Sequence, residues 1–556
     1  MYIKFKFAKK SHVCCEKIIH AFLALANAPR TMPHAPCALT NVPTPQRTPL
    51  TPCERPLHPA NAPKTMPHAP TPLRTPLRTS LAPCERLSQN ISTFILLIRI
   101  LLTVSSKNFD LSKLLEQSSN ISLKQQMNFV WRLSIPGVIA QISSIIMQYI
   151  DAAMVGSLGA NASASIGLVA SSIWVISSLS HALCIGFTVQ VAHAVGAGEQ
   201  KKAKKILIQS IYVCIMFSVF LAGLSALLCK KLPVWLGGAP EILSDASNYF
   251  LIFGLSAPFF ILVTLMTGML QCSGNMKLPA VLNACLCFLD IIFNSVFIFV
   301  FKLGVTGAAI GSACSALVVA AIIVFYTLLK SEYLNLRGFK DFSLNLNVVA
   351  KALKIGMPIA VESSAFTGAL VVVAKMVAPL GSVALSANSF ATTAEALCYM
   401  PGYGIQEAAI TLVGQSAGAR RKDLTRSFSF ITVISGMLVM TLAGVLMYFI
   451  CPYVFNFLTP DNEIRALSIK VLRIELFAEP MYAAAIVASG ALRGKGDTLV
   501  PGILSLISLW GVRIVLSILL IKPFGLTGIW ISMTVELCFR GLVMLLRLFC
   551  FKSKKN

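Results

Sequence analysis

The chain has 556 residues, of which 56% are hydrophobic and 12% charged, with a formal net charge of +25. Soluble domains carry about 25% charged residues, so an ordinary soluble globule is excluded, and this much apolar side chain excludes global disorder. What remains is an all-α integral membrane protein; its basic residues are scattered beside apolar runs, which points to membrane topology and not to nucleic acid.

The first 126 residues stand apart. ANAPRTMPHAP at 26–36 recurs at 60–70 with Arg30 replaced by Lys64, and PCER at 52–55 recurs at 83–86. Such proline density removes backbone donors and blocks both helix and sheet. Residues 1–126 therefore read as a Pro-rich, low-complexity extension without a core, and the duplication suggests translated repeat DNA ahead of a working start near Met127. The apolar stretch Phe94–Val104, interrupted by Arg99, is too short to cross ~30 Å of hydrocarbon. Ile18–Ala26 makes a poor signal peptide, with Glu16 just before it and His20 within it. The sixteen cysteines show no metal spacing and mostly lie in apolar runs, as small buried hydrophobes.

From Phe129 onward twelve apolar runs are each long enough to span a membrane: 133–157, 166–191, 206–229, 248–271, 280–301, 304–329, 352–378, 384–413, 427–451, 467–490, 499–521 and 526–548. They divide into a six-helix lobe at 127–330, a linker at 331–350, a second six-helix lobe at 351–549 and a basic tail at 550–556. The lobes repeat. A shift of 222 positions lays Pro136 on Pro358, Leu158-Gly159 on Leu380-Gly381, Val191 on Val413, Gly196-Ala197 on Gly418-Ala419, Gly274 on Gly496 and Pro279 on Pro501. Gly and Pro mark backbone geometry, so this register is more than shared apolarity. Six spans per half make a parallel repeat about an axis along the membrane normal. The loops after spans 2, 6, 8 and 10 carry Lys201–Lys205, Lys330–Lys354, Arg420–Arg426 and Arg493–Lys495, while the opposite loops are poorer in charge. The positive-inside rule then sets both core termini in the cytoplasm, in a multi-pass plasma (inner) membrane protein.

Ionisable groups inside spans are costly and face an interior. Asp151 falls in span 1, and Asp290 in span 5 shares a helical stripe with Asn283 and Asn294. Carboxylate and amide oxygens of this kind could hold a proton or a Na+ ion, or merely clamp helices together. In the second half Glu362 follows Pro358 by four residues, Lys375 and Glu395 are candidates for an ion pair, and Glu407 lies near the far end of span 8. MPGYG (400–404), with Pro401 and Gly404, is expected to break span 8. Glu475, Glu479 and Glu536 are expected near helix ends, in solvent.

Together these residues resemble the multidrug and toxin extrusion (MATE) transporters over about 129–550. The resemblance rests on VGAG (195–198), IGMPIAVE (355–362), VAPLGSVALSA (377–387), MPGYG (400–404), TLVGQ (411–415) and LRGKGDT (492–498). It implies export of bulky, often cationic compounds in exchange for H+ or Na+, without a cofactor, by a monomer whose other partner is the lipid bilayer. Asp151 matches the family's first-helix acid, Glu362 its seventh-helix acid, Ser312 its sixth-helix hydroxyl and Asp497 the acid of its Gly-Asp-Thr motif. Asp290 and Asn294 stand where the family carries Asn and Asp, with Ser295 in place of Pro. On this reading Asp151, Asp290, Asn294 and Ser312 couple the ion, with Na+ held by the first three. Glu362, Lys375 and Glu395 line the substrate cavity, and Pro358, Pro401, Gly404 and Asp497 are structural. The rival readings are a lipid-linked precursor flippase, which needs several cavity Arg residues, and a passive channel or scaffold. No GxxxxGK[ST] phosphate loop and no nucleophile–base set favours an enzyme.

Overall fold

The computed structural model describes residues 121–550 apart from 340, 342 and 344. The expectations for residues 1–120, for Lys340 and for the basic tail lie outside the described residues. Within them every regular element is helical, and the helices group into twelve spans. The first half holds Leu123–Gly156, Ala160–Gly196, Gln200–Leu228, the pair Pro240–Leu255 and Ala257–Cys272, Lys277–Ser295 extended by Val296–Val300, and Gly304–Leu329. The second holds Leu346–Val377, Ser382–Gly418, Lys422–Leu458, the pair Asn462–Glu475 and Glu479–Gly494, Leu499–Leu506 running through Ile507–Ile514 into Val515–Phe524, and Leu526–Phe549. Among the described residues nine helices are long and apolar enough to cross a membrane, and the bent pair of span 4 makes a tenth. The other two are span 8, which carries Glu395, Gln406, Glu407 and Gln415, and span 10, which is cut in two.

The breaks obey the repeat. Span 4 bends by 47° at Ser256, and span 10 passes through a 3-10 turn at Leu476–Ala478. Pro258 and Pro480 lie just beyond them, at positions related by the 222-residue shift. Proline has no N–H and cannot continue the ladder of the helix before it, but it fits the first turn of the next. Spans 5 and 11 each contain a π-helical stretch, Val296–Val300 and Ile507–Ile514. Span 8 corrects an expectation: it runs from Ser382 to Gly418 as one helix, with Pro401 inside it. Gly404 serves close packing instead. A Cβ there would lie 2.6 Å from the Gly137 carbonyl carbon of span 1, and a Cβ on Gly137 would lie 2.7 Å from the Gly404 oxygen.

Each half has its own apolar core. Phe187, Leu207, Leu265 and Ile323 are buried in the first, and Phe455, Leu472, Met440 and Trp530 in the second. Span 1 ties them together, because Phe129 and Val130 at its start pack with Leu412, Phe428 and Val487 of the second half. Spans 1 and 2 pack against spans 8 and 7 respectively. At the span ends that carry the basic loops, Gly196 is packed on the Gln415 backbone and Gly418 on the His193 backbone, with no room for a Cβ at either. We call this end the basic face. The linker between halves is tied to the start of span 3: Lys205 Nζ is 3.0 Å from Asp341 Oδ2, and Gln209 Nε2 donates to the Ser343 carbonyl at 3.2 Å.

Candidate functional site

The first half encloses a carboxyl cluster. Asp290 and Asn294 are one helical turn apart and share a face of span 5, each only 2% exposed. Asn294 Nδ2 donates to Asp151 Oδ1 of span 1 at 3.1 Å and to Asp290 Oδ2 at 3.0 Å. Ser315 of span 6 donates to Asp290 Oδ1 at 3.1 Å, Ser312 is in hydrogen-bond contact with the same carboxyl, and the Asp151 and Asp290 carboxyls touch each other. Gly311 makes the room, since a Cβ there would collide with the Asn294 side chain. Two carboxylates only accept, so a direct carboxyl–carboxyl contact needs a proton or a cation between them. Asn294 donates to both carboxyls in addition to that contact, and its Oδ1 has no partner among the described residues. Asn283 does not join the cluster. It clamps span 5 to span 1, donating to the Ala140 carbonyl at 3.1 Å and to Ser144 Oγ at 3.0 Å.

A separate cavity of about 740 Å³ lies between the halves and is walled mostly by the second. Trp174, Phe366, Tyr399, Tyr403, Tyr482 and Trp530 supply aromatic surface, and Glu362, Glu395, Glu407, Arg493, Arg513 and Arg540 supply charge. Asp151, Asp290 and Asn294 are not among its walls. Glu362 Oε2 accepts from Arg493 Nη2 at 3.1 Å, the two side chains being 17% and 13% exposed. Arg540 pairs with Glu536 at 3.0 Å, and Ser508 donates to Glu536 Oε1 at 2.6 Å. Arg513 has its Nη2 2.7 Å from Met533 Sδ. Glu395 and Glu407 have no ion-pair partner among the described residues, so they are the free acids of the chamber. Behind its wall Glu475 and Glu479 are fully buried, and none of their four carboxylate oxygens has a partner among the described residues. With Glu536 also at 0% exposure, the expectation that these three acids are solvated is corrected, although Glu475 does end one helix and Glu479 does begin the next. The 3-10 break after Glu475 and the packing of span 10 against spans 8, 9 and 12 carry them inward.

The MatE family matches residues 136–296 and 358–519, most of both repeats. The chain belongs to the MatE family. A probable multidrug resistance protein NorM of Thermotoga maritima is 26% identical over 431 residues, which cover 76% of this chain and 92% of the relative. A solved Vibrio cholerae MATE transporter superimposes with a TM-score of 0.73 at 20% identity, over 76% of this chain and 96% of its own. A MOP superfamily transporter from Pyrococcus furiosus gives 0.73 at 19% identity, over 79% and 97%. This MatE protein is thus a multi-pass membrane transporter and not an enzyme.

Against the MatE scaffold the site residues read from the sequence separate into three groups. Asp151, Asp290, Asn294 and Ser312 come together, with Ser315 as a ligand the sequence reading missed; its position three residues after Ser312 on the same helix was the available signal. Glu362 and Glu395 line the cavity. Lys375 does not: it is exposed on span 7, makes no ion pair with Glu395 and is absent from the cavity wall. Span 7 lines the chamber as far along as Leu370 and Val373, but Lys375, two residues beyond, lies on the exposed side of the helix. Asp497 is structural, accepting from Arg547 Nη2 at 2.6 Å and Nε at 3.0 Å, which fastens the loop after span 10 to the end of span 12. Pro358 stays within a continuous span 7, where its carbonyl oxygen would lie 3.3 Å from a Cβ on Gly502. Arg493 and Arg540 were missed as cavity residues. The sequence places Arg493 in a basic loop after span 10, but it sits in the last turn of Glu479–Gly494 and turns its side chain to the cavity.

Proposed function

We propose that this MatE transporter exports lipophilic cations in exchange for protons by alternating access, with its basic face toward the cytoplasm. The observation that carries the reading is the placement of the Asn294 N–H groups between Asp151 and Asp290, in a cluster set apart from the cavity. Na+ needs oxygen ligands pointing inward, and an amide donor aimed at both carboxylates opposes that. A proton shared by the two carboxyls suits it. Binding or loss of this proton would shift the balance between outward- and inward-open states to the extent that its affinity differs between them. In the cavity Glu395 and Glu407 would attract a cation, and Tyr399, Tyr403 and Trp530 would add cation–π and apolar contact. Two of the three wall guanidiniums are already held by Glu362 and Glu536, which leaves little for the diphosphate of a lipid-linked precursor. The relatives named for multidrug resistance support the same substrate breadth.

The test is transport in proteoliposomes with H+ and Na+ gradients imposed one at a time and a cationic dye as cargo. A proton gradient should drive export, and Asp151→Asn should abolish gradient-driven export while dye binding persists. Export driven by Na+ alone, or normal proton-driven export by Asp151→Asn, would refute the proposal.

A further inference from the structure

The halves meet at the basic face through two clasps that follow the 222-residue repeat. At the end of span 2, three residues before Gly196, the ring of His193 crosses to the second half, with Nε2 2.7 Å from the Gly494 carbonyl oxygen at the end of span 10. A carbonyl only accepts, so Nε2 carries the hydrogen. At the end of span 8, three residues before Gly418, Gln415 crosses the other way and donates its Nε2–H to the Cys272 carbonyl at the end of span 4, also at 2.7 Å. The shift lays His193 on Gln415 and Cys272 on Gly494. The backbone beneath repeats as well: Gly196 presses on the Gln415 backbone and Gly418 on the His193 backbone, with no room for a Cβ at either. An imidazole and a carboxamide differ in shape, yet each presents one N–H at the same place. Thr411 to the Gln271 carbonyl (3.3 Å), Gln190 to the Val348 carbonyl (3.1 Å) and the Ser427 hydroxyl to Gln126 Oε1 also join the halves at this face, without symmetry mates.

We infer that His193 and Gln415 are positioning residues of the transport cycle, a symmetry-related pair whose hydrogen bonds set how often the protein opens at its basic face. The inference rests on alternating access, because a state open at this face must separate the helix ends that both bonds join. Each bond then weights the closed state by the net strength of a buried hydrogen bond. The cavity and the carboxyl cluster need not change when a clasp is removed.

Cys272, 3% exposed beneath the Gln415 clasp, is a native reporter. Its alkylation by N-ethylmaleimide in proteoliposomes is followed by peptide mass spectrometry, with the core residues Cys184 and Cys451 as controls for unfolding. His193→Leu or Gln415→Leu should raise the Cys272 rate about fivefold and the double variant about 25-fold. His193→Gln should keep it within about twofold of wild type, because glutamine already does this work at the equivalent position. Wild-type rates in both leucine variants, or a rate in His193→Gln as high as in His193→Leu, would overturn the inference. If the leucine variants also label Cys184 and Cys451, His193→Gln alone decides, protection supporting the clasp and exposure overturning it. The readout needs no transport, so a failure of the proposed export function leaves it intact.

Discussion

Neutralising Glu362 should weaken cation binding, and it should do so through Arg493. At 3.1 Å with both side chains mostly buried, the pair contributes almost no net charge to the chamber. Glu362→Gln keeps the shape and raises the net charge of the chamber by one. A cation held about 8 Å away, at an effective dielectric of about 20, is then repelled by about 2 kcal/mol, which is about 30-fold in affinity. Arg493→Gln does the opposite, freeing a carboxylate and tightening the same ligand by a similar factor. The double variant Glu362→Gln/Arg493→Gln should return to within about threefold of wild type. The assay is isothermal titration of tetraphenylphosphonium into purified protein in nanodiscs at fixed ionic strength. Shifts of the two single variants in the same direction, or no shift in either, would refute the reasoning that the two charges cancel inside the cavity.

Gly404→Ala places a methyl group 2.6 Å from the Gly137 carbonyl carbon and should cost about 1–3 kcal/mol in detergent unfolding, whereas Gly156→Ala, which meets open space, should be neutral; equal behaviour would disprove the close crossing. Arg420 adopts φ +57° where its repeat partner Gly198 has φ +71°, so Arg420→Gly should stabilise by about 0.5 kcal/mol, the relief of a left-handed side chain less the entropy of glycine; a destabilisation would count against it. Glu475→Gln and Glu479→Gln replace carboxyls that have no partner among the described residues by neutral isosteres, and each should unfold within about 1 kcal/mol of wild type or above it. A loss above about 3 kcal/mol would mean that those carboxylates hold an essential partner.

Helices and repeat were legible because they are written in local periodicity and in Gly and Pro positions. The carboxyl cluster was legible because a charged residue in a span has few places to go, and Asp151, Asp290 and Asn294 did converge. What stayed hidden depends on pairing across spans. Nothing near Glu362 in the chain points to Arg493, 131 residues away. Nothing in the sequence around Glu475 and Glu479 says that a break at Leu476–Ala478 turns both inward. Pro258 and Pro480 did carry a signal, since both fall at one register position of the repeat, but long apolar runs on either side masked it. MPGYG misled for the converse reason: glycine beside proline serves a tight helix crossing as readily as a kink.

The cavity is walled chiefly by the second repeat, while the Asp151–Asp290 cluster belongs wholly to the first. The two repeats share a scaffold, but the acidic cluster and the chamber wall fall in different repeats, so a change to one need not disturb the other. With the roles proposed above, substitutions around Tyr399, Glu407 and Trp530 would retune which compounds leave the cell at a constant energy source. On the same assignment, substitutions around Asn294 would exchange the energy source while the spectrum of compounds stands.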